Sequence, residues 1–248
     1  MTEKVNHAEG SLKKISVLSG SRLKLIALIT MIIDHIGLHL IRYIPEFNEV
    51  FFSVPEFNCS VYGIFRLIGR TAFPIYCFLI AEGTYYTRSR FKYGVNLFAF
   101  ALISEIPWNL EHNNTIFYFG SQNVFFTLFL GFLSICIYER LREKPTHCIF
   151  ALGALFIISW FLRADYGAFG MAFIFLLYLL RERRIAVCFI GSCIIHAAWK
   201  AVPAFIFIAM YNGQRGFIKG KFMKYFFYAV YPIHILIIWI LKRKYFWF

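Results

Sequence analysis

The chain has 248 residues, of which 60% are apolar and only 16% are charged, against about 25% charged residues in an average soluble domain. This composition excludes an ordinary cytosolic enzyme and a disordered protein and indicates a polytopic membrane protein. The net charge of +13 would suggest nucleic acid in a soluble protein. Here the basic residues occur between apolar runs, as membrane topology requires, so no nucleic-acid partner is expected.

Predicted helices follow one another over nearly the whole sequence. Residues 1–21 are polar, lack a signal-peptide core and predict a short cytoplasmic tail. Residues 22–248 predict one all-α domain, a polytopic transmembrane helical bundle. The apolar runs lie at residues 23–41, 64–81, 93–110, 124–138, 147–162, 166–180, 185–199, 202–211 and 225–241. We predict about nine spans, or eight if residues 185–211 form one kinked span.

The loops between these runs alternate in charge. Several Lys or Arg residues occur in each of the segments 1–22, 88–92, 140–144 and 181–184, whereas 43–62 and 111–122 contain none. Basic loops stay in the cytoplasm. The pattern therefore predicts a multi-pass protein of the cell membrane with a cytoplasmic N-terminus.

Most of the six cysteines lie singly in apolar runs and none forms a CxxC pair. Cysteines of this kind usually act as small hydrophobic residues. Neither a structural disulfide nor a metal site is expected.

Asp34 and His35 form the most informative polar pair, just past the middle of the first predicted span. Ionisable residues are costly in a bilayer, about 2.5 kcal/mol or more each. Histidine is the usual general base near neutral pH, and a carboxylate can stabilise its cation. The alternative is a hydrogen-bonded structural pair. His39 shares a face with His35, but the other ligands that a metal would need are missing.

Three basic side chains are candidates for binding an anionic ligand. Lys24 lies about three helical turns before His35, roughly 16 Å along the axis. Arg66 and Arg70 are four residues apart on one face and can hold a phosphate or a carboxylate. The alternatives are an interfacial role for Lys24 and salt bridges from the arginines to Asp34 or to a second acidic residue, Glu105.

Four further polar residues are candidates for substrate binding or support. Glu82 ends the second predicted span, and Glu105 precedes Pro107, which we expect to break the third helix and free backbone carbonyls beside a cavity. Asn212 follows the short run before the last span. His234 lies within the last span, where it stands out from the interfacial tyrosines around it.

These residues lie in segments that together resemble the TraX family, named for a conjugative-pilin acetylase. The matching segments are LKLIALITMIIDHIG, RLIGRTAFPIYCFLIAEGTYYT, ALISEIPWNL, QNVFFTLFLG, DYGAFG, YNGQRG and FFYAVYPIHILII, in the family order from about residue 22 to 240. The family is similar to a broader group of transmembrane acyltransferases that use cytoplasmic acetyl-CoA. That group often has an arginine ten residues before its histidine, where this chain has Lys24.

The resemblance implies transfer of an acetyl group from acetyl-CoA to an amine or hydroxyl acceptor, with no metal. The acceptor would be a pilin N-terminus or another envelope or secreted molecule, either a peptide or a small molecule. The resemblance implies that His35 is the catalytic base and that Asp34 supports it. Arg66 and Arg70 would contact CoA or the acceptor. The charge rule places the start of the second span outside the cell, so an acceptor carboxylate is an alternative ligand there.

Two other function classes compete with the acetyltransferase. In a proton-coupled transporter, the buried Asp, Glu and His residues would form an ion path, although no duplicated halves with matched broken helices are visible. A non-catalytic subunit of a conjugation or export machine would not need several ionisable groups inside the bilayer. Binding or labelling by acetyl-CoA separates the first hypothesis from these two.

Overall fold

The computed structural model describes residues 16–54, 57–182 and 198–246, and within them the chain is an all-α bundle with one small hairpin. The helices are α1 (Gly20–His39), α2 (Val61–Gly69), α3 (Ala72–Tyr86), α4 (Arg90–Asn113), α5 (Val124–Leu141), α6 (Pro145–Leu162), α7 (Gly167–Leu179), α8 (Val202–Ala209) and α9 (Gly220–Phe246). Strands β1 (Phe52–Val54) and β2 (Phe57–Cys59) pair antiparallel, with Phe52 opposite Cys59. The predicted helical bundle is therefore confirmed, whereas the hairpin was not predicted.

Helix starts follow local capping chemistry. The hydroxyl of Ser19 accepts from the Arg22 N–H at the start of α1, and Ser60, Ser89 and Asn123 cap α2, α4 and α5 in the same way. A capping side chain satisfies a backbone donor that the first helical turn leaves free. Five described segments are long and apolar enough to cross a membrane: Gly20–Tyr43, Val61–Tyr86, Val124–Leu141, Pro145–Leu162 and Gly220–Phe246.

Helices α1, α4 and α9 run side by side in the same direction and form the frame of the candidate site. At one end, which we call the Ser21 end, the Ser21 hydroxyl donates to the Arg215 carbonyl (2.8 Å) and accepts from the Ile218 N–H (2.7 Å). At the other end, which we call the Glu111 end, Glu111 of α4 contacts side chains at the ends of α1 and α9. The two contact sets fix the register of the three helices.

The structure corrects the predicted third span. Pro107 lies inside α4, and the helix continues past it to Asn113. Because proline lacks an N–H, it leaves the carbonyl four residues earlier without its usual partner but does not end the helix. The longer helix carries Glu111, predicted to lie in a loop, into the buried interior, where it is 3% exposed.

The second predicted span is divided in two. Arg70 and Thr71 separate α2 from α3. Arg70 therefore lies at a helix end inside the bundle. Such breaks occur in membrane bundles where they border a cavity.

Segments on either side of residues 183–197 contact α3. The Arg181 guanidinium lies 3.4 Å from the ring centroid of Tyr85, in the last turn of α3. Leu18 pairs with Tyr211, directly after α8, and the ring of Tyr211 lies against Phe78 of α3, 5.2 Å between centroids. Arg181 and Tyr211, on either side of the residues that the structure does not describe, thus both contact α3. The predicted span at 185–199 lies largely outside the described residues.

The cysteines that the structure describes are free thiols: Cys59, Cys77, Cys136 and Cys148. Cys188 and Cys193 lie outside the described residues.

Candidate functional site

A cavity of about 340 Å³ lies between α1, α3, α4 and α9 and reaches from the Ser21 end toward the Glu111 end. Its charged and imidazole side chains are Lys24, Asp34, His35, His39, Arg66, Arg70, His112, Asp165 and Lys224, and aromatic rings cover much of the remaining wall. A largely apolar chamber with a few polar groups aimed into it is typical of a ligand site. The cavity gathers every residue of the predicted Asp34, His35, Lys24, Arg66 and Arg70 set.

His35 is paired with a second imidazole from the last helix. Its Nδ1 lies 2.5 Å from Nε2 of His234, and the two rings stack with centroids 4.8 Å apart. Nδ1 of His234 lies 2.8 Å from the Val230 carbonyl oxygen. The structure thus brings together two predicted site residues that are 199 positions apart in the sequence.

The hydrogen bonds of this pair determine which ring nitrogens carry protons. A carbonyl oxygen only accepts, so Nδ1 of His234 must be the N–H that donates to Val230. In a neutral His234, Nε2 is then an acceptor, and His35 must donate from its own Nδ1. His35 Nε2 is therefore left with a lone pair, and His35 lines the cavity. This arrangement suits a general base.

Asp34 contacts Arg66 and not the imidazole beside it in the sequence. Asp34 Oδ2 lies 2.6 Å from Arg66 Nη1, and both side chains are half-buried. Asp34 is paired with Arg66 and His35 with His234, because neighbouring helical residues point about 100° apart. The predicted support of His35 by Asp34 stays a prediction. The salt bridge between Arg66 and Asp34, considered above as an alternative, is present.

Close helix packing positions this ion pair. Gly69 of α2 faces Asp34, and a Cβ atom at Gly69 would overlap the Asp34 carboxyl group. Gly37 of α1 likewise leaves room for Phe65 of α2, whose Cβ would lie 2.7 Å from an added methyl group. Two glycines therefore let α1 and α2 approach closely enough for the carboxylate and guanidinium to meet.

Asp165 is a site residue that sequence reasoning missed. It lies in the loop between α6 and α7 and lines the cavity with Arg70. Burial, followed by the nearby Asp34 carboxylate, raises the pKa of Asp165 to about 6. Tyr166, next along the chain, stacks on Phe73 with ring centroids 3.5 Å apart. In the sequence, Asp165 begins the segment DYGAFG, one of the segments that carry the family resemblance.

The Ser21 end of the cavity carries two lysines. Lys24 Nζ lies 5.4 Å from the ring centroid of Phe227, and Lys224, which was not predicted, lines the same chamber from the first turns of α9. Within the described part of the chain, the ion pairs found involve neither lysine. Two cations without carboxylate partners make this end attractive to an anion.

A second polar cluster closes the Glu111 end. Glu111 Oε1 lies 2.6 Å from His39 Nδ1 and 2.8 Å from Lys242 Nζ, and Oε2 lies 3.0 Å from His112 Nδ1. His39, Glu111 and His112 present metal-ligand atoms within 4.8 Å of one another. However, the Lys242 ammonium already binds the carboxylate, and His112 Nδ1 lies 3.0 Å from the Trp108 carbonyl oxygen, where it must donate. These contacts fit an ion-pair network better than a metal centre.

The remaining predicted residues lie apart from the cavity. Glu105 accepts from the Asn123 amide (2.7 Å), which also donates to the Ala101 carbonyl (2.8 Å). Asn212 accepts from the Gln214 N–H (2.9 Å) in a turn. Neither these residues nor Glu82 line the chamber. The contact of Glu105 with Asn123 stabilises the junction of α4 and α5, and the contact of Asn212 with Gln214 stabilises a turn. Both are structural contacts.

Comparison with known proteins gives one family match and similarity to individual proteins. A sequence model described as TraX protein matches residues 19–242. A protein of Dichelobacter nodosus described as the probable fimbrial assembly protein FimC of serogroup H1 is 26% identical over 251 residues, 89% of this chain and 94% of the relative. An uncharacterised protein of Rickettsia prowazekii (strain Madrid E) is 27% identical over 185 residues, 71% of this chain and 64% of the relative. No solved structure matches the chain.

Proposed function

The chain belongs to the TraX family, and we propose that it is a membrane-embedded acetyltransferase. It moves an acetyl group from acetyl-CoA to an amine or hydroxyl acceptor. The observation that carries this proposal is the His35–His234–Val230 chain of hydrogen bonds, which leaves a proton-accepting nitrogen on a residue that lines a chamber. Cationic groups at both ends of that chamber support a reaction between two polar substrates.

The proposed chemistry needs one base and no redox partner. The acceptor nitrogen or oxygen attacks the thioester carbonyl while His35 Nε2 removes its proton. The C–S bond of the thioester then breaks, and the CoA thiolate takes the proton back from His35. The products are the acetylated acceptor and CoA with a free thiol. A thioester is already activated, so positioning the two substrates and moving this proton supply most of the catalysis.

His234 assists by sharing the charge that the step creates. When His35 Nε2 gains a proton, its Nδ1–H bond to His234 becomes a charge-assisted hydrogen bond, which is stronger than a neutral one. The Val230 carbonyl holds His234 in the tautomer that receives this bond. The pair is thus arranged to stabilise the imidazolium without a directly bonded carboxylate.

The donor is assigned to the Ser21 end, which the loop charges predict to be cytoplasmic. CoA carries three phosphate groups, and Lys24 and Lys224 line that part of the chamber. Arg66 is less suited to CoA than expected, because Asp34 already neutralises it at 2.6 Å. We therefore assign CoA to the two lysines and leave the arginines to the acceptor.

The acceptor class follows from the relatives as a proposal. The family takes its name from a conjugative-pilin acetylase, and one relative is described as a probable fimbrial assembly protein. We propose an acceptor of the cell envelope, such as a pilin N-terminus or a secreted molecule, acetylated by a multi-pass protein with its N-terminus in the cytoplasm.

Acetyl transfer can be tested in purified protein and in cells. Binding of acetyl-CoA by the protein in lipid nanodiscs, and acetylated envelope molecules found by mass spectrometry only in cells that express the chain, are the expected results. His35→Ala should remove the product, and His147→Ala, an exposed histidine in the first turn of α6, should not. Undetectable acetyl-CoA binding together with identical envelope acetylation in both cell types would refute the proposal.

A further inference from the structure

A second cavity, of about 280 Å³, lies beyond the arginines at the outer side of α2. It is bordered by the segment after α1, by β2 and by the first turns of α2. Three cationic side chains line it, those of Arg66, Arg70 and Lys200, and among the described lining residues there is no Asp or Glu. A pocket whose charged lining groups are all cations favours an anion.

Arg66 and Arg70 line both cavities and therefore form the wall between them. Arg66 is neutralised by Asp34, 2.6 Å away. Arg70 takes part in none of the ion pairs found in residues 16–54, 57–182 and 198–246. Arg70 is half-buried at the break between α2 and α3. Its charge acts on the nearby Asp34 and Asp165 carboxylates, but of the two arginines in the wall it is the one without a direct carboxylate contact among the described residues.

We propose that this second cavity is the acceptor subsite and that Arg70 binds an oxyanion, a carboxylate or phosphate, on the acceptor molecule. A guanidinium fork binds either group through two parallel hydrogen bonds. With the oxyanion held at Arg70, the amine or hydroxyl of the same molecule enters the main chamber toward His35. This inference rests on the proposed acetyl transfer and specifies its acceptor.

The placement also separates the routes of the two substrates. The lysines lie at the Ser21 end. The second cavity is bordered by residues 48–50 and 57–63, in and next to the loop that is predicted to lie outside. Acetyl-CoA and acceptor therefore approach from opposite ends and meet at His35. An acceptor exposed on the outer face of the membrane would not have to enter the cytoplasm to be acetylated.

The test measures oxyanion binding to the purified full chain, independently of catalysis. Inorganic phosphate and acetate are titrated, and dissociation constants are taken from the rise in the thermal unfolding midpoint. Arg70→Gln should weaken binding of at least one probe by about tenfold or more, since a charged hydrogen bond is lost. Arg88→Gln, which removes the same charge from an exposed loop, should change nothing.

Three further measurements decide the outcome. Arg70→Lys should bind better than Arg70→Gln but worse than wild type, because the charge remains and the fork is lost. Acetyl-CoA affinity should be unchanged in Arg70→Gln. Unchanged phosphate and acetate binding in Arg70→Gln, or weakening only in Lys24→Gln, would overturn the proposal.

Acceptor assays identify the oxyanion and separate this proposal from the first. Alanine is compared with alaninamide, and phosphoethanolamine with ethanolamine, so that each pair differs in one oxyanion. The wild type should prefer one anionic member, and Arg70→Gln should remove that preference by raising its KM about tenfold. If the wild type and Arg70→Gln show the same preference for the anionic acceptor, the proposed subsite is wrong. Anion binding at Arg70 without acetyl transfer by the wild type refutes the acetyltransferase alone.

Discussion

Two clusters in the described part of this bundle combine histidines with acidic and basic side chains, one around His35 and one around Glu111. They differ in the exposure of the carboxylate and in the number of its ion-pair partners. The Glu111 side chain is 1% exposed and has His39 and Lys242 within 2.8 Å. In the His35 cluster, both Asp34 and Arg66 are 19% exposed. Each cluster has one carboxylate oxygen without a hydrogen-bond partner among the described groups, Asp34 Oδ1 and Glu111 Oε2.

The difference indicates different roles for similar residue types. A buried carboxylate whose partners come from three helices fixes the positions of those helices, and Glu111 does not line the chamber. A partly exposed cluster that lines a chamber keeps donors and acceptors available to a ligand. Histidine and acidic residues inside a membrane thus mark either structure or chemistry, and their partners decide between the two. The following substitutions test that distinction.

The largest effect is expected for His35→Ala. Loss of a positioned general base typically reduces the rate by about 10² to 10⁴. Acetyl transfer should fall by that factor, while the amount of inserted protein and its thermal midpoint remain close to wild type. The measurement is acetylated product per purified protein. Turnover at the wild-type rate would remove His35 from the mechanism.

Glu111→Gln should act on stability instead of chemistry. Removing one partner of a buried ion pair costs about 3–5 kcal/mol, mainly because the other charge is left unpaired. Thermal unfolding in detergent should show a lower midpoint, and the double variant Glu111→Gln with Lys242→Met should recover part of it. A fully stable but inactive Glu111→Gln protein would place the cluster in the reaction.

Asp34→Asn should reduce activity less than His35→Ala, because Asp34 contacts Arg66 and not the His35 ring. The carboxamide removes the charge that holds the guanidinium at 2.6 Å. Initial rates for the two variants at equal protein amounts give the comparison. If Asp34→Asn has the greater effect, the roles are reversed and Asp34 is the base.

A smaller effect on the same ion pair is expected for Gly69→Ala. The added methyl group would overlap Asp34, and overpacking of this kind costs about 1–3 kcal/mol. Gly153→Ala is the matched control, since a Cβ there meets nothing within 4 Å. Activity should fall in the first protein, together with its thermal midpoint, and remain unchanged in the second. Equal behaviour of both variants would show that the close approach of α1 and α2 is dispensable.

Sequence reasoning reached the first helix of the site more fully than the last. Asp34, His35 and Arg66 stand out individually because charge is costly in an apolar run. Glu111 and Lys242 did not, because each lies at the edge of an apolar run, where charge is ordinary. The longer α4 brings Glu111 inward, and no periodic pattern signals that extension past Pro107.

The pairing of residues was harder to predict than their importance. His234 was recognised as unusual, but its bond to His35 depends on the register of α1 against α9, which their sequences do not specify separately. Asp34 and His35 adjoin in the sequence, and neighbouring helical residues point about 100° apart. That geometry does not specify which helices the two side chains face; in the structure Asp34 contacts α2 and His35 contacts α9.

The distance of 199 residues between His35 and His234 also constrains the order of biosynthesis. The ribosome releases α1 well before α9, and the segment from Arg215 to Ile218, which Ser21 contacts, is made shortly before α9. Nascent chains that stop before the last helix contain His35 without its partner imidazole. The pairing of the two imidazoles therefore arises only after α9 has been made, and products truncated before α9 lack it.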